Sequence, residues 1–546
     1  MTATATGAML ALPKSPDLIA FAGTNVPDLI ETQAVRRGDH PCLIWAPFEG
    51  DHKTWSYQQF RDDVRRLAAG FAAKGVKQGD FVLLHFDNCP EIMLCWFALG
   101  YLGAVAVTTN ARSAPAEMTY FADHCGAVGA VTSPQFAQML SEKCDGLGWI
   151  IVTDHDAGKP ASGPDGVKFS PFDSLYGDGD QLPAMRPAAL DPMGVQYTSG
   201  TTSRPKGVIW THANTLWGAR QCATQQGLVD TDVHLTTLPM FHTNAQAYSV
   251  LSSLWAGGSI VLQPRFSASR FWPVSVHYGC TWASMVPFCA KALLGQPIPN
   301  DHRYRWWGNG INNAPWDDHY KIPTLGWWGM TETIAPGIVG STTLPNRPVS
   351  MGRPAQGYDI LVVDDNGAPV APGETGELWV KGIRGVSLFL EYLNNPDATN
   401  NSYTDDGWFI TGDRVTLHED GYLSFADRDK DMLKVGGENV AASEIERVIM
   451  SVPGVNEVAV VARKDSMLDE VPVAFVLPSD GSDGDHMRAS ALGDACMRAC
   501  EQNLADFKIP REVRIVSELP RSTLEKIAKA ELRGLLDAED QDIAHS

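Results

Sequence analysis

Short apolar runs alternate along this chain with segments of helical spacing. Phe81-Val82-Leu83-Leu84 follows Gly79-Asp80 and predicts a buried strand; a helix is predicted from Pro90, and Ala104-Val105-Ala106-Val107 predicts the next strand. Gly129-Ala130-Val131 and Trp149-Ile150-Ile151-Val152 continue the series. Strands separated by helices predict a parallel sheet. Residues 27–75 read as amphipathic helix, with Tyr57, Phe60, Val64, Leu67, Ala68 and Phe71 keeping one face apolar. Residues 153–193, rich in Asp, Gly, Pro and Ser, read as a surface connection. A second α/β set begins at Met193-Gly194-Val195-Gln196 and runs to about 345. It takes in Leu235-Thr236-Thr237-Leu238, Gly258-Ser259-Ile260-Val261-Leu262 and Thr324-Leu325-Gly326-Trp327-Trp328.

From 350 to 427 the texture shifts to short strands, such as Tyr358 to Val363 and Gly376 to Val380. Turns are signalled at Asp365-Asn366-Gly367 and Asp405-Asp406-Gly407, and a small β-barrel or sandwich is expected. Beyond about 428 the pattern returns to α+β, with strands at Glu457 to Val461 and Val471 to Val476. The fold class is therefore α/β: a large N-terminal domain of two α/β subdomains plus a small β-barrel, then a small α+β C-terminal domain. The expected boundaries are 1–429 and 430–546.

A chain of 546 residues exceeds one ordinary core, so several domains are required. The formal net charge of -21 argues against general binding to nucleic acid or anionic membrane, while leaving room for a local basic pocket. Ten scattered cysteines include no C-x-x-C pair and read as free thiols, which points to a cytoplasmic setting. Met1 to Pro16 lacks the pattern of a secretory signal. The apolar run Ile92 to Val107 is shorter than the ~20 residues a membrane span needs, and is expected to be a buried helix leading into a strand.

Candidate chemistry is densest at Tyr197-Thr198-Ser199-Gly200-Thr201-Thr202-Ser203-Arg204-Pro205-Lys206-Gly207. Hydroxyls, glycines and two cations after a strand suit a phosphate cradle. The order Lys206-Gly207, with no Ser or Thr after the lysine, departs from the Walker pattern, and a solvated loop is the plain alternative. Gly326-Trp327-Trp328-Gly329-Met330-Thr331-Glu332-Thr333 offers indoles for a nucleobase and a carboxylate for Mg²⁺, or simply core tryptophans and a cap. Asp413, after Trp408-Phe409-Ile410-Thr411-Gly412, could accept from ribose hydroxyls or be an ordinary turn aspartate. Asp427 to Val440 is charged and then glycine-paired, and Pro520 to Lys529 carries Lys526 near the C-terminus.

In order, YTSGTTSRPKGV, PMFH, GWWGMTET, TGD, DRDKDMLKVGGENVAASEIE and PRSTLEKIAK resemble the acyl-adenylate-forming superfamily over almost the whole chain. That superfamily includes acyl- and aryl-CoA synthetases, peptide-synthetase adenylation domains and firefly luciferase. The Ser203-Arg204-Pro205 variant is similar to the carnitine/crotonobetaine–CoA ligase branch. The resemblance implies an ATP-dependent, AMP-forming carboxylate–CoA ligase working through an acyl-AMP, with ATP, Mg²⁺ and coenzyme A as its small molecules. Delivery of the acyl group to a carrier protein, or luciferase-like oxidation, is the alternative fate.

By the same resemblance, Thr198, Ser199, Gly200, Thr201, Thr202 and Lys206 hold the β- and γ-phosphates, Trp328 stacks on adenine, and Thr331 contacts the α-phosphate. Glu332, with Thr201, serves Mg²⁺, and Asp413 with Arg428 holds ribose. Lys526 bridges the carboxylate and the α-phosphate. Lys430 is the hinge. Lys434, Gly436 and Gly437 form the face that turns in for thioester formation. Phe241, His242, Gln246, Trp307, Gly308, Gly329 and Met330 line the acyl pocket. Two departures stand out: Glu525 replaces the usual glycine before Lys526, and Gly308-Asn309-Gly310 with Asn312-Asn313-Ala314-Pro315 replaces Gly-Gly-Ala-Pro. The many tryptophans favour a medium, aryl, cyclic or onium acid over a plain long-chain one. No nucleic-acid partner and no membrane span are expected, and a homodimer is left open.

Overall fold

The computed structural model describes residues 20–198, 204–364, 366–428, 432–479, 486–520, 527 and 529–545. Ser199, Gly200, Thr201, Thr202, Lys430 and Lys526, and the stretch Met1 to Pro16, lie outside the described residues. By internal contacts the chain falls into two units: Met1–Ala111, Phe121–Tyr197 and Gly207–Asp427 form the first, and Arg112–Tyr120, Thr198–Lys206 and Arg428–Ser546 form the second.

The first unit is built on two large sheets. One has seven strands, with Phe81–His85 central between Val105–Thr109 and Gly129–Thr132, all parallel. Its strands are buried on both faces, which is why they read as unbroken apolar runs. Pro90–Tyr101 is a helix with eleven of its twelve residues buried, so the apolar run is a core helix. Among the described residues no helix is long and apolar enough to cross a membrane. The second sheet has nine strands, and its middle (Val233–Thr236, Trp282–Ser284, Trp306–Asn309, Thr324–Trp328) is parallel.

Residues 27–75 are not helical throughout. Helix Val26–Arg37 starts at an Asn25/Asp28 capping box and Tyr57–Ala73 at a Ser56/Gln59 box. Between them Pro41–Trp45 and Lys53–Ser56 form a hairpin. Leu43, Ile44 and Trp45 pair in parallel with Ile260, Val261 and Leu262, so burial in the nine-stranded sheet overrides the helical spacing around them. The strand expected from Leu235 begins two residues earlier, at Val233–Thr236. Residues 153–193 are not all connection, since Phe169–Pro171 pairs with Ile150–Val152 at the edge of the seven-stranded sheet. The 350–427 region gives a four-stranded antiparallel sheet running from Asp359–Val363 through Thr375–Lys381 and Phe409–Leu417 to Leu423–Arg428.

The second unit folds around Val455–Asp465 paired with Asp469–Pro478. Val458 and Val460 join a core with Ile445, Ile449 and Cys500, while the alternating Ala459 and Val461 join another with Phe475, Leu532 and Leu536. Two cores on opposite faces explain the continuous apolar runs here as well.

Candidate active site

Trp328 is the last residue of its parallel strand, Thr324–Trp328. The carboxyl ends of such strands are where open α/β sheets bind ligands, because the chain turns away and leaves a crevice. Trp328 Nε1–H donates to Asp413 Oδ2 at 2.8 Å. Asp413 is only 4% exposed and sits in a β-bulge: Glu377 pairs with Arg414 and Trp379 with Ile410, so three residues of one strand face one of the other. Gly412 takes φ +72 within that bulge. Phe409, Asp413 and Val415 are the buried positions of this strand, so the two extra residues of the bulge keep Asp413 on its inward face. The proposed adenine-stacking ring and the ribose carboxylate are thus brought together.

Past the strand, Thr331–Thr333 forms a short 3-10 turn. Trp210 Nε1–H donates to the Thr331 carbonyl at 2.9 Å and Phe389 N–H to the Glu332 carbonyl at 2.8 Å, so the turn is held from two sides. The Tyr392 hydroxyl donates to Glu332 Oε1 at 2.8 Å. Burial, with the Glu332 carboxylate beside it, pushes the Tyr392 phenol well above its usual range, so it stays a donor. Among the described residues no three metal-ligating side chains cluster. A single buried, oriented carboxylate fits Mg²⁺, which takes one or two carboxylates and completes its shell with water and substrate phosphates. When bound, Mg²⁺ offsets phosphate charge; Glu332 would hold it and Tyr392 would fix Glu332.

Gln246 lies on a π-helix over Asn244–Leu251, a geometry frequent at functional sites, and Thr243 immediately precedes it. Phe241 and His242 precede it in a half-buried turn, their rings 4.4 Å apart. Thr243 Oγ1 lies 2.8 Å from Gln196 Oε1 and 3.2 Å from Thr331 Oγ1, and Gln196 Nε2 donates to Gln246 Oε1.

The face of the nine-stranded sheet beside this group is aromatic. His234, Trp282 and Trp306 occupy registered positions on three adjacent strands and form a ladder: His234 to Trp282 is 4.0 Å between ring centroids, Trp282 to Trp306 4.9 Å. Trp327 follows at 6.4 Å from Trp306, and Tyr248 lies 5.6 Å from Trp327. Gly308 and Gly329 make the room. A Cβ on Gly308 would lie 1.7 Å from Trp327 Cη2, and one on Gly329 would lie 2.2 Å from Tyr248 Oη. Met330 packs half-buried beside them. Burial pulls the His234 imidazole down to about 3, so the ladder is uncharged. Beside Gln246 an apolar cavity of about 10 Å³, lined by Met93, Trp96, Met240 and Val250, holds no more than one water.

Trp307 is not brought to this group. It alternates to the opposite face, fully buried among Phe271, Trp272, Tyr304 and Tyr320. Asn312 is also occupied: its Oδ1 accepts from Gly326 N and its Nδ2 donates to the Ser350 carbonyl. Asn309 Nδ2 donates to the Met285 carbonyl. The sequence reading counted Trp306 among the tryptophans near the pocket but did not single out Trp282, His234, Tyr248, Tyr392, Thr243 or Gln196. Only Gln196, a polar residue in the strand before the hydroxyl-rich loop, carried a local signal.

In the second unit, Lys434 lies on Met432–Val435, which pairs with Glu438–Ala441 through a two-residue Gly436-Gly437 turn at φ +59 and +89. Positive φ at both turn positions is what a tight hairpin of this hand demands, and glycine supplies it. Lys434 N–H donates to Glu470 Oε2 at 2.7 Å. Thr198 Oγ1 lies 3.5 Å from the Lys206 carbonyl across the loop base. Arg428 ends the strand Leu423–Arg428.

Residues 30–393 match the family described as AMP-binding enzyme, and 444–526 match AMP-binding enzyme C-terminal domain. The chain is 34% identical over 523 residues to a crotonobetaine/carnitine–CoA ligase of Salmonella paratyphi A, covering 94% of this chain and 99% of that one. Among solved structures it is similar to a double mutant of o-succinylbenzoate CoA synthetase from Bacillus subtilis with a bound product analogue: TM-score 0.78, 25% identity, 93% of this chain and 98% of that one. A fatty acyl CoA synthetase of Mycobacterium tuberculosis gives a TM-score of 0.66 at 27% identity, covering 94% and 99%. The family match spans well over half of the sequence, and Trp328, Thr331, Glu332 and Asp413 lie within the first unit. The chain therefore belongs to the AMP-binding enzyme family, as an AMP-forming acid–thiol ligase that joins a carboxylic acid to coenzyme A at the expense of ATP.

Proposed function

We propose that the acid is compact and that its end remote from the carboxylate is an aryl ring or a quaternary ammonium. The observation that carries this reading is the Trp327 ring seated over Gly308, flanked by Trp306, Trp282 and Tyr248. Indole and phenol faces hold flat rings by stacking and onium groups by their quadrupole. A long alkyl chain finds no continuation in the cavity beside Gln246. The relatives named for crotonobetaine and carnitine, both onium carboxylates, agree in kind.

Within this reading Thr331 contacts the α-phosphate, Trp328 covers adenine, Asp413 and Arg428 hold ribose, and Glu332 with Thr201 serves Mg²⁺. The loop from Thr198 to Lys206 clamps the leaving pyrophosphate. A carboxylate is already a nucleophile at neutral pH, so no base is needed; cations and dipoles must offset the charge that gathers when two anions meet. Lys526, on a small domain that begins at the Lys430 hinge, bridges the two. The same domain then presents Lys434, Gly436 and Gly437 for thioester formation. A cytoplasmic setting and a homodimer belong to the same reading, the latter tested by light scattering.

Two experiments test it. A panel of short onium acids, benzoates, cyclic acids, octanoate and palmitate is incubated with ATP, Mg²⁺ and CoA, and acyl-CoA is read by mass. The compact aryl or onium acids are expected to turn over fastest, and preference for palmitate overturns the proposed acid. Lys526→Ala is expected to abolish ATP–pyrophosphate exchange, and retained exchange removes Lys526 from its role.

A further inference from the structure

Thr243, Gln196 and Gln246 are buried polar side chains, 7%, 4% and 3% exposed, and the roles above use only Gln246. They form one hydrogen-bonded chain. The Thr243 hydroxyl is the donor, to Gln196 Oε1 at 2.8 Å and to Thr331 Oγ1 at 3.2 Å. At the other end Gln196 Nε2 donates to Gln246 Oε1. The chain links Thr331, Thr243, Gln196 and Gln246.

We infer that Thr243 and Gln196 are positioning residues: they hold the Thr331 hydroxyl in the rotamer that meets the α-phosphate and tie it to Gln246 on the acyl side. The inference rests on the reading of Thr331 as the α-phosphate contact. Because Thr243 donates to it, the Thr331 hydroxyl keeps its own proton for a phosphate oxygen, a stronger, charge-assisted bond made from a side chain already aligned. Trp210 holds the same residue by its carbonyl, so little freedom remains to be lost on binding. The π-helix has a reason here: Thr243 leads into it and Gln246 sits three residues on, both on the chain.

The test is calorimetric titration of Mg-ATP into the whole protein, which needs no acid. Thr331→Val is expected to weaken binding about tenfold, the loss of one hydrogen bond to a charged group. Thr243→Val is expected to weaken it about three- to tenfold, Thr243→Ser to restore it within about twofold, and the double Thr243→Val/Thr331→Val variant to bind like Thr331→Val alone, because Thr243 acts only through Thr331. An unchanged affinity in Thr331→Val overturns the reading of Thr331, and this inference falls with it. A weakened Thr331→Val beside an unchanged Thr243→Val, or losses that add in the double variant, overturns the positioning role alone. Thermal midpoints taken on the same samples separate misfolding from a lost alignment, and failure of Thr243→Ser to rescue while folded also counts against it.

Discussion

Adding one methyl group to Gly308 puts the acyl slot to a quantitative test. The Cβ of Gly308→Ala would stand 1.7 Å from Trp327 Cη2, whereas carbon atoms in contact need about 3.5–4.0 Å. The indole must therefore retreat by about 2 Å, past its neighbours Trp306 and Tyr248. Overpacking of this kind costs about 1–3 kcal/mol. Trp327→Ala costs about 3–5 kcal/mol, since the ring is only 6% exposed and leaves a cavity. In the double variant the new methyl enters space the indole has left, so the Gly308→Ala penalty should largely vanish. The expected coupling is about 1–3 kcal/mol in the favourable direction. Urea unfolding of the four proteins measures it, with acyl-CoA formation from octanoate and benzoate as the functional readout. Trp327→Ala should raise octanoate turnover relative to benzoate. Strict additivity in stability, or an unchanged acid preference in Trp327→Ala, would refute the view that this indole sets the length of the slot.

Three further outcomes are expected. Asp413→Ala strips the Trp328 N–H of its acceptor and removes the ribose carboxylate, and should raise KM for ATP about 10–100-fold in ATP–pyrophosphate exchange; an unchanged KM contradicts the assignment. Tyr392→Phe removes the phenol that donates to Glu332 Oε1 and should raise the half-saturating Mg²⁺ concentration about tenfold, read by titrating Mg²⁺ at fixed ATP. The His155–Glu91 pair, 3.3 Å apart and mostly buried, makes stability depend on pH. Burial pulls His155 down, but the Glu91 hydrogen bond and charge carry it above its ordinary value; burial pushes Glu91 up, and His155 brings it below. The Glu91 contribution is present above about pH 4.3 and is lost as pH falls through its lowered value. The His155 contribution is complete below about pH 6.5 and is lost as pH rises through its raised value. His155→Gln should therefore cost most near pH 5.5, about 1–2 kcal/mol, and least near pH 8.5, by thermal unfolding at the two pH values.

The sheets were legible because their strands are buried on both faces and so leave continuous apolar runs, as at Phe81–His85 and Val455–Asp465. The hairpin after Arg37 was not, since Cys42 to Trp45 is too short to stand out from the helical spacing on either side. Motif order singled out Trp328, Glu332 and Asp413 as candidates, yet it could not give the phase of a strand. Trp306 and Trp307 are consecutive, and only register against Trp282 and Ala283 decides which indole joins the ladder and which goes to the opposite core. The Tyr392–Glu332 and Thr243–Gln196 contacts join residues 60 and 47 positions apart, a separation that leaves no local trace.

On the proposed reading, the nucleotide and acid sides of the site pose opposite electrostatic problems. On the nucleotide side the carboxylates of Asp413 and Glu332 are each 4% exposed and each accept from a side chain supplied by another strand or turn, so neither is a bare buried charge. On the acid side none of Tyr248, Trp282, Trp306 and Trp327 can ionise near neutrality. The His234 imidazole beside them is kept neutral by burial, with its Nδ1 on Thr236 Oγ1 at 2.7 Å. A protonated imidazole there would repel an onium acid and weaken the quadrupole attraction of the rings it stacks on. On the proposed reading of the acid, neutrality of His234 is what suits this aromatic face to a cation. Replacing His234 by Lys would place a charge at the head of the ladder. An enzyme whose acid is an onium should then lose kcat/KM for that acid far more than for benzoate. Equal losses for the two acids would show that the ladder is packing alone.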